Sequence, residues 1–342
     1  MEMDEKQAKN HLAWDFSLLS AGWVPEADAE GLRLLTDWCN WVSIGHDFAT
    51  CFTKLMVHYT KVFHFDDLFD ESSLQRDPFK AAGEIIQTLS ILSDVHPPID
   101  RHEHPLRYAF QNIWQRFQKR SSVGETQSQG TRLARNMPGR RLTRVTEQQR
   151  RYIEAHRLYM MAVLEQVHLQ NTAEYPNIDL EHLMEMRQAS IGARPAIALM
   201  EGIERIDLPP EVRDHPSLVI CERISAECTF LGNDVVSLQR EIDCGIEDHN
   251  MVFRLTRMHG ISLQEALVKL GEMLDDRYKA WDRAVAELPT WDETTDKAVQ
   301  RLLNVFRRMP LSNAHWSFKC GRYFGANGET VKSTRKMQVV ST

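Results

Sequence analysis

The sequence lacks any apolar run that approaches the eighteen or so residues needed to span a bilayer. It also nearly lacks the apolar-polar alternation that strands require. Its opening, MEMDEKQAKN, has no apolar core of the secretory kind, so the cytoplasm is the expected location. No CxxC pair occurs. The six cysteines, Cys39, Cys51, Cys221, Cys228, Cys244 and Cys320, are scattered, which suits free thiols in a reducing compartment better than zinc ligands or disulfides. A basic stripe with interleaved aromatics is missing too, and the formal charge of −7 disfavours a nucleic-acid binder held through phosphate contacts. What is left is a chain of 342 residues, 42% of them hydrophobic, with material for a sizeable core and an expected partner that is small or cationic.

Helical periodicity fills most of the chain. The stretches IEAHRLYMMAVLEQVHL, LVICERISAECTFLGNDVVSLQREI and LQEALVKLGEMLDDRYKAWDRAVAEL carry apolar residues at spacings of three and four. Between them, HPPID, EYPNID, IDLPPEVRDHP and RMPLSN supply proline, Asn and Asp as stops and starts. The expected fold is about ten helices in one all-α domain. No internal repeat is present.

Two oxygen-rich stretches stand out against this background. In FHFDDLFDE, Asp66 and Asp70 are i and i+4, about 6 Å apart along a helix axis, and so share a face that Phe63 joins from i−3. Asp67 points elsewhere. Carboxylates crowded beside aromatic rings imply a cation, and magnesium is held by one or two carboxylates plus substrate phosphates rather than by a closed protein cage. Further on, in NDVVSLQRE, residues Asn233, Ser237 and Glu241 stand at i, i+4 and i+8 and line up amide, hydroxyl and carboxylate oxygens in one stripe. Such a polar stripe in an otherwise apolar helix is costly unless it is occupied. Taken alone, either stretch has a bland reading as a solvated helix end or a chance pattern.

The order DDLFD, then NDVVSLQRE, then RY near the C-terminus resembles the class I terpene synthases, closest to the microbial and fungal sesquiterpene cyclases. The resemblance covers nearly the whole chain. It implies an all-α, single-domain helical bundle around a central cavity. It also implies an enzyme that uses magnesium, three ions in the family and with manganese as a substitute, to ionise farnesyl diphosphate and cyclise the carbocation to a sesquiterpene. Carried over by residue, it makes Asp66 the principal ligand of the first motif with Asp70 in support, and Asn233, Ser237 and Glu241 ligands of a further ion. Arg240 takes the place of a basic diphosphate contact, and Arg322 and Tyr323 in CGRYFG that of the pair which hydrogen-bonds the diphosphate in the closed state. Arg187 in MEMRQASIG matches an arginine that senses the diphosphate, with SIG behind it at an expected helix break. Phe63 and Trp316 are the expected cavity walls. The partner is then an isoprenyl diphosphate bound to a monomer or homodimer.

Elementary chemistry agrees with these roles. An allylic diphosphate leaves with its charge on oxygens, which metal ions and forked arginines stabilise. The carbocation left behind needs a dry, aromatic-walled cavity, where each ring contributes roughly 0.5–2 kcal/mol. Two decoys fall away. LDDRY at Asp275 and Asp276 imitates a second aspartate-rich motif, but Lys279 occupies the position where a carboxylate would complete the face. RHEHP, with His102 and His104, reads as a surface loop. The rivals are a prenyl diphosphate synthase, which would need the missing second aspartate-rich motif, a cyclase that takes geranyl or geranylgeranyl diphosphate, and a catalytically impaired helical relative.

Two segments interrupt the helical pattern, Val42 to Lys61 and Val123 to Gln148; the second carries five arginines and three glycines with no apolar face and is expected as an exposed loop. Joining Trp41 directly to Val62 gives LTDWCNWVFHFDDLFDE, a continuous helical stretch. A segment that begins with Val and ends with Lys is also what an in-frame retained intron can encode, and the second segment fits the same logic. Sequencing of the spliced transcript is expected to return a message without residues 42–61, whose shorter product cyclises substrate faster than the full chain. A mature message that holds both segments, together with normal turnover by the full-length protein, refutes this.

Overall fold

The computed structural model describes residues 13–43, 69, 74–122, 145–172, 175–245 and 247–340. Among these residues there is no strand, and the chain is a succession of helices. They are α1 (Phe16–Trp23), α2 (Ala29–Ser43), α3 (Pro78–Leu92), α4 (Pro105–Ser121), α5 (Glu147–Gln170), α6 (Leu180–Ser190), α7 (Ala193–Ile203), α8 (Pro210–Arg213), α9 (Pro216–Val236), α10 (Leu238–Cys244), α11 (Met251–His259), α12 (Leu263–Ala286), α13 (Glu293–Lys319) and α14 (Gly328–Thr334). The expected all-α class is what is found.

Helix boundaries follow local chemistry. Pro78, Pro105, Pro210 and Pro216 sit in first turns, where the missing N–H costs nothing. Thr146 and Ser262 close reciprocal capping boxes with Gln149 and Glu265. Most of the two interrupting segments lies outside the described residues, but their edges do not behave as loops. Val42 still belongs to α2, and Thr146 caps α5, so Glu147 and Gln148 open a helix rather than end a loop.

Helix α9 is the centre of the bundle and packs against α6, α7, α11, α12 and α13. Its fit to α13 depends on a proline. Pro310 inside α13 cannot donate to the carbonyl of Phe306, and Ser225 Oγ from α9 donates to that carbonyl instead at 2.7 Å. Leu302, Leu303, Val305 and Phe306 on α13 are fully buried, each worth roughly 1.5–3 kcal/mol of apolar transfer.

The apolar interior is divided in two. A large cluster joins α1 through α5 with α7, α9 and α13, and includes Phe69, the described member of the acidic stretch, with no exposed surface. A smaller cluster, with Leu183, Phe230, Leu231, Leu238, Met251 and Val252, lies beneath the junction of α9 and α10. The large cluster also encloses His156. Its Nδ1–H donates to the Tyr152 carbonyl at 2.8 Å and its Nε2 accepts from Trp38 Nε1 at 3.1 Å, with Trp41, Phe110 and Tyr152 rings around it. Burial depresses its pKa to about 3.

A histidine with a depressed folded-state pKa must be neutral to stay folded, so the unfolded chain binds one more proton below its ordinary value of about 6.5. Stability contributed by neutral His156 is therefore present at pH 7 and lost progressively as pH falls from about 6.5 toward 3, at roughly 1.4 kcal/mol per pH unit. His156→Gln is expected to have a shallower fall in thermal midpoint between pH 7 and 5 than the parent chain. Equal slopes would remove His156 as the source.

Candidate functional site

The second oxygen stripe forms where α9 gives way to α10. The stripe was expected on one helix, yet it straddles two, with Ser237 closing α9 and opening α10. The register survives because the backbone ladder does: Ser237 N–H reaches Asn233 O and Glu241 N–H reaches Ser237 O, each at 2.9 Å. Asn233, Ser237 and Glu241 accordingly stay on one side. Ser237 Oγ is 2.7 Å from Glu241 Oε1 and 2.8 Å from the Asn233 carbonyl.

The stripe is held from behind by residues that sequence reading did not single out. Asn250, which caps α11, donates through Nδ2 to Glu241 Oε2 at 2.8 Å and to the Asp234 carbonyl at 2.7 Å. Asp234, fully buried, accepts from Met251 N–H at 2.7 Å on one oxygen and from Arg187 Nη2 at 2.5 Å on the other. A carboxylate inside an apolar run was the available signal for Asp234. For Asn250 there was none, since its role depends on the chain returning after the Gly245 turn, where φ is 68°.

Arg187 lies in the last turn of α6, just before the expected break. The chain turns at Ile191 and Gly192, and Gly192 holds φ at 75°, a left-handed conformation that favours glycine. The guanidinium lies 5.8 Å from the Phe230 ring centroid, and its Nε has no hydrogen-bond partner among the described residues. Next to it, Tyr175 OH and His249 Nδ1 share a hydrogen bond at 2.6 Å, and Arg254 donates to the Tyr175 carbonyl at 2.7 Å.

Electrostatics follow from this crowding. Burial works against the charge of Arg187, but Asp234 and Glu241 beside it hold its pKa above the ordinary arginine value. Burial raises the Asp234 carboxyl against the pull of Arg187 and of the Met251 N–H. Glu241 is pushed up to about 7 by burial and by repulsion from Asp234, with Arg187, Ser237 and Asn250 opposing. A buried carboxyl with a raised pKa, beside a hydroxyl and an amide, is a set of hard donors short of positive charge. These residues fit a magnesium ion, which would offset both penalties.

At the C-terminal side, Tyr323 OH accepts from Asn233 Nδ2 at 2.9 Å, so the RY pair and the oxygen stripe meet. Arg322 lies over the rings of Trp14 and Tyr323, at 5.3 and 5.8 Å from their centroids. Trp316 stacks on Phe16 at 5.3 Å, meets Tyr323 edge-on at 5.9 Å and donates to the Trp14 carbonyl at 2.6 Å. Arg240 is half-buried on α10 between Gln239 and Glu241. The structure thus brings together Arg187, Asn233, Ser237, Glu241 and Tyr323, with Arg322 and Trp316 adjoining through Tyr323. Phe63, Asp66 and Asp70 lie outside the described residues. The decoys stay apart: Asp276 pairs with Lys279 on the exposed side of α12, and His102 and His104 are exposed. Cys39, Cys221, Cys228 and Cys320 are free, buried thiols.

Removing one partner of a buried ion pair leaves an uncompensated charge, at a cost of about 3–5 kcal/mol. Asp234→Asn is expected to lower the thermal midpoint by roughly 6 °C or more and to weaken divalent-cation binding. An unchanged midpoint would show that the Arg187–Asp234 pair does not hold this site together.

Residues 59–280 match the model of terpene synthase family 2, C-terminal metal binding. Terpene cyclase 4 of Gibberella fujikuroi is 36% identical over 339 residues, 99% of this chain and 80% of that one. The (+)-eremophilene synthase of the same organism is 31% identical over 340 residues, 99% of this chain and 83% of that protein. Among solved structures, α-eudesmol synthase superposes with a TM-score of 0.67 at 20% identity, covering 92% of this chain and 88% of that one, a likeness of fold.

Proposed function

Because the chain belongs to the terpene synthase family, we propose that it is a magnesium-dependent sesquiterpene cyclase that ionises farnesyl diphosphate and closes the resulting carbocation into a ring system. The observation that carries this reading is the aligned set Asn233, Ser237 and Glu241, joined to Tyr323 on one side and backed by Asp234 and Arg187 on the other. Relatives named as cyclases and synthases across nearly the whole chain support the reaction class.

In this reading Asn233, Ser237 and Glu241 would hold one magnesium ion, and Asp66 with Asp70 would hold the others. Bound magnesium supplies Lewis-acid stabilisation of the diphosphate as it leaves. Arg187, Arg322 and Tyr323, with Arg240, bind the diphosphate oxygens and orient the C–O bond that breaks. In this reading Phe63 and Trp316 would wall the cavity, exclude water and stabilise the cation. Arg187 has a particular role because its charge is already committed to Asp234: an incoming diphosphate competes for that guanidinium, so binding is felt directly at α9.

The deciding experiment is incubation of the protein with magnesium and farnesyl, geranyl or geranylgeranyl diphosphate, followed by analysis of the volatile fraction. The farnesyl substrate is expected to give a cyclic C15 product with the highest kcat/KM. Asn233→Ala is expected to lower turnover by about 100-fold or more while the helical circular dichroism is unchanged. Arg322→Ala acts on ionisation and lowers the rate, whereas Trp316→Phe, chosen because Trp316 also packs on Phe16, redistributes products at a similar rate. Release of no hydrocarbon from any of the three substrates, with magnesium or manganese, overturns the reading.

A further inference from the structure

Beyond Tyr323 the chain does not leave the site. Helix α14 packs on α13, with Gly328 so close to the Phe318 carbonyl that a side chain there would collide. The helix ends at Arg335, which adopts a left-handed conformation (φ 55°, ψ 30°) with its N–H bonded to the Val331 carbonyl at 2.8 Å, and this turn sends the chain back toward α10. From there residues 336–340 run without helical structure and alternate in burial. Lys336, Gln338 and Val340 are exposed, while Met337 and Val339 are half-buried and pack against the smaller apolar cluster, which contains Leu238 and Phe230. This two-residue alternation is that of an extended segment laid on an apolar surface.

The end of the segment is fastened by one side chain. Gln239 Oε1 accepts from the Val340 N–H at 2.7 Å, and Gln239 Nε2 donates to the Val340 carbonyl at 3.2 Å, so a side-chain amide pairs with a backbone residue as a neighbouring strand would. The second hydrogen of Nε2 goes to Asp243 at 2.7 Å. Gln239 lies between Ser237 and Glu241, and the first residue of the same helix, Leu238, belongs to the apolar cluster on which the segment packs. The C-terminal stretch therefore grips the oxygen stripe at both ends, at Asn233 through Tyr323 and at α10 through Gln239.

We propose that residues 335–340 form a strap that positions the metal-ligating helix α10, with Gln239 as its anchor, and that binding of a divalent cation with diphosphate tightens the strap. The proposal rests on the reading of Asn233, Ser237 and Glu241 as metal ligands. Its physical basis is that both anchoring hydrogen bonds are exposed and only two side chains are half-buried, so the strap is held weakly by itself. Fixing Ser237 and Glu241 around a cation also fixes Gln239 between them, which lowers the cost of seating Val340. Linkage requires the converse: a seated strap raises cation and diphosphate affinity. Gln239 is in this sense a positioning residue with no contact to the reacting atoms.

The test uses the full chain, magnesium and inorganic diphosphate. Trypsin cleavage after Arg335 and Lys336 is followed by peptide mass, and diphosphate binding by calorimetry. In the parent protein, magnesium with diphosphate is expected to slow cleavage at these two bonds about tenfold, while either alone has little effect. Gln239→Ala is expected to abolish that protection and to weaken magnesium-dependent diphosphate binding by about tenfold, and Gln239→Glu, which keeps the acceptor and loses the donor, to fall between. A chain ending at Lys336 should reproduce the affinity loss of Gln239→Ala. Were the parent to bind magnesium and diphosphate with no change in cleavage, and Gln239→Ala to bind them equally well, the strap would be refuted while the metal assignment stood. Failure of the parent to bind diphosphate at all in the presence of magnesium would overturn both.

Discussion

Charge kept inside an apolar bundle is the constraint on which this molecule is organised. Asp234 is fully buried and Glu241 and Arg187 nearly so, at the end of a helix whose neighbours are leucine, phenylalanine and methionine. Ionised groups there are tolerated only when they are paired or hydrogen-bonded. The surrounding detail answers that requirement: the Met251 N–H and Arg187 serve Asp234, and Ser237 and Asn250 serve Glu241. The bend at Ser237 and the turn at Gly245 bring those donors round.

The same constraint links the site to the fold. Helix α9, which carries Asp234, is anchored elsewhere, by Ser225 to the carbonyl freed by Pro310 and by Arg213 of α8, which bonds both Glu201 on α7 and Glu222 on α9. A rigid α9 leaves α6, α10 and the C-terminal stretch as the parts that can respond to a ligand. Arg187 lies in the last turn of α6, Ser237 at the junction of α9 and α10, and Tyr323 in the turn that follows α13, places where small rotations cost little.

An interior built this way also explains why the aromatic residues serve two ends. Trp38, Trp41, Phe110 and Tyr152 enclose a neutral histidine and stabilise the core, whereas Trp316 and Phe16 adjoin Tyr323 and the oxygen stripe. Sequence spacing does not separate these two groups. Both stand at helical intervals in apolar stretches, and only their neighbours in space distinguish a core ring from one beside the site.

By itself the sequence determined the helical class and the register of the oxygen stripe. Periodicity is a local property, and a ligand stripe at i, i+4 and i+8 needs nothing beyond one ladder of backbone hydrogen bonds. The break after Arg187 was also legible, because SIG places glycine where a left-handed residue is needed. Tertiary structure decided the rest. It split the stripe between α9 and α10, placed Asn250 and Met251 behind it, paired Arg187 with Asp234, set Tyr323 on Asn233 and returned Val340 to Gln239. Those contacts join residues far apart in the chain whose partners are chosen by packing and by the cost of an unsatisfied buried charge. Neither leaves a pattern in the order of amino acids until the helices have been brought together.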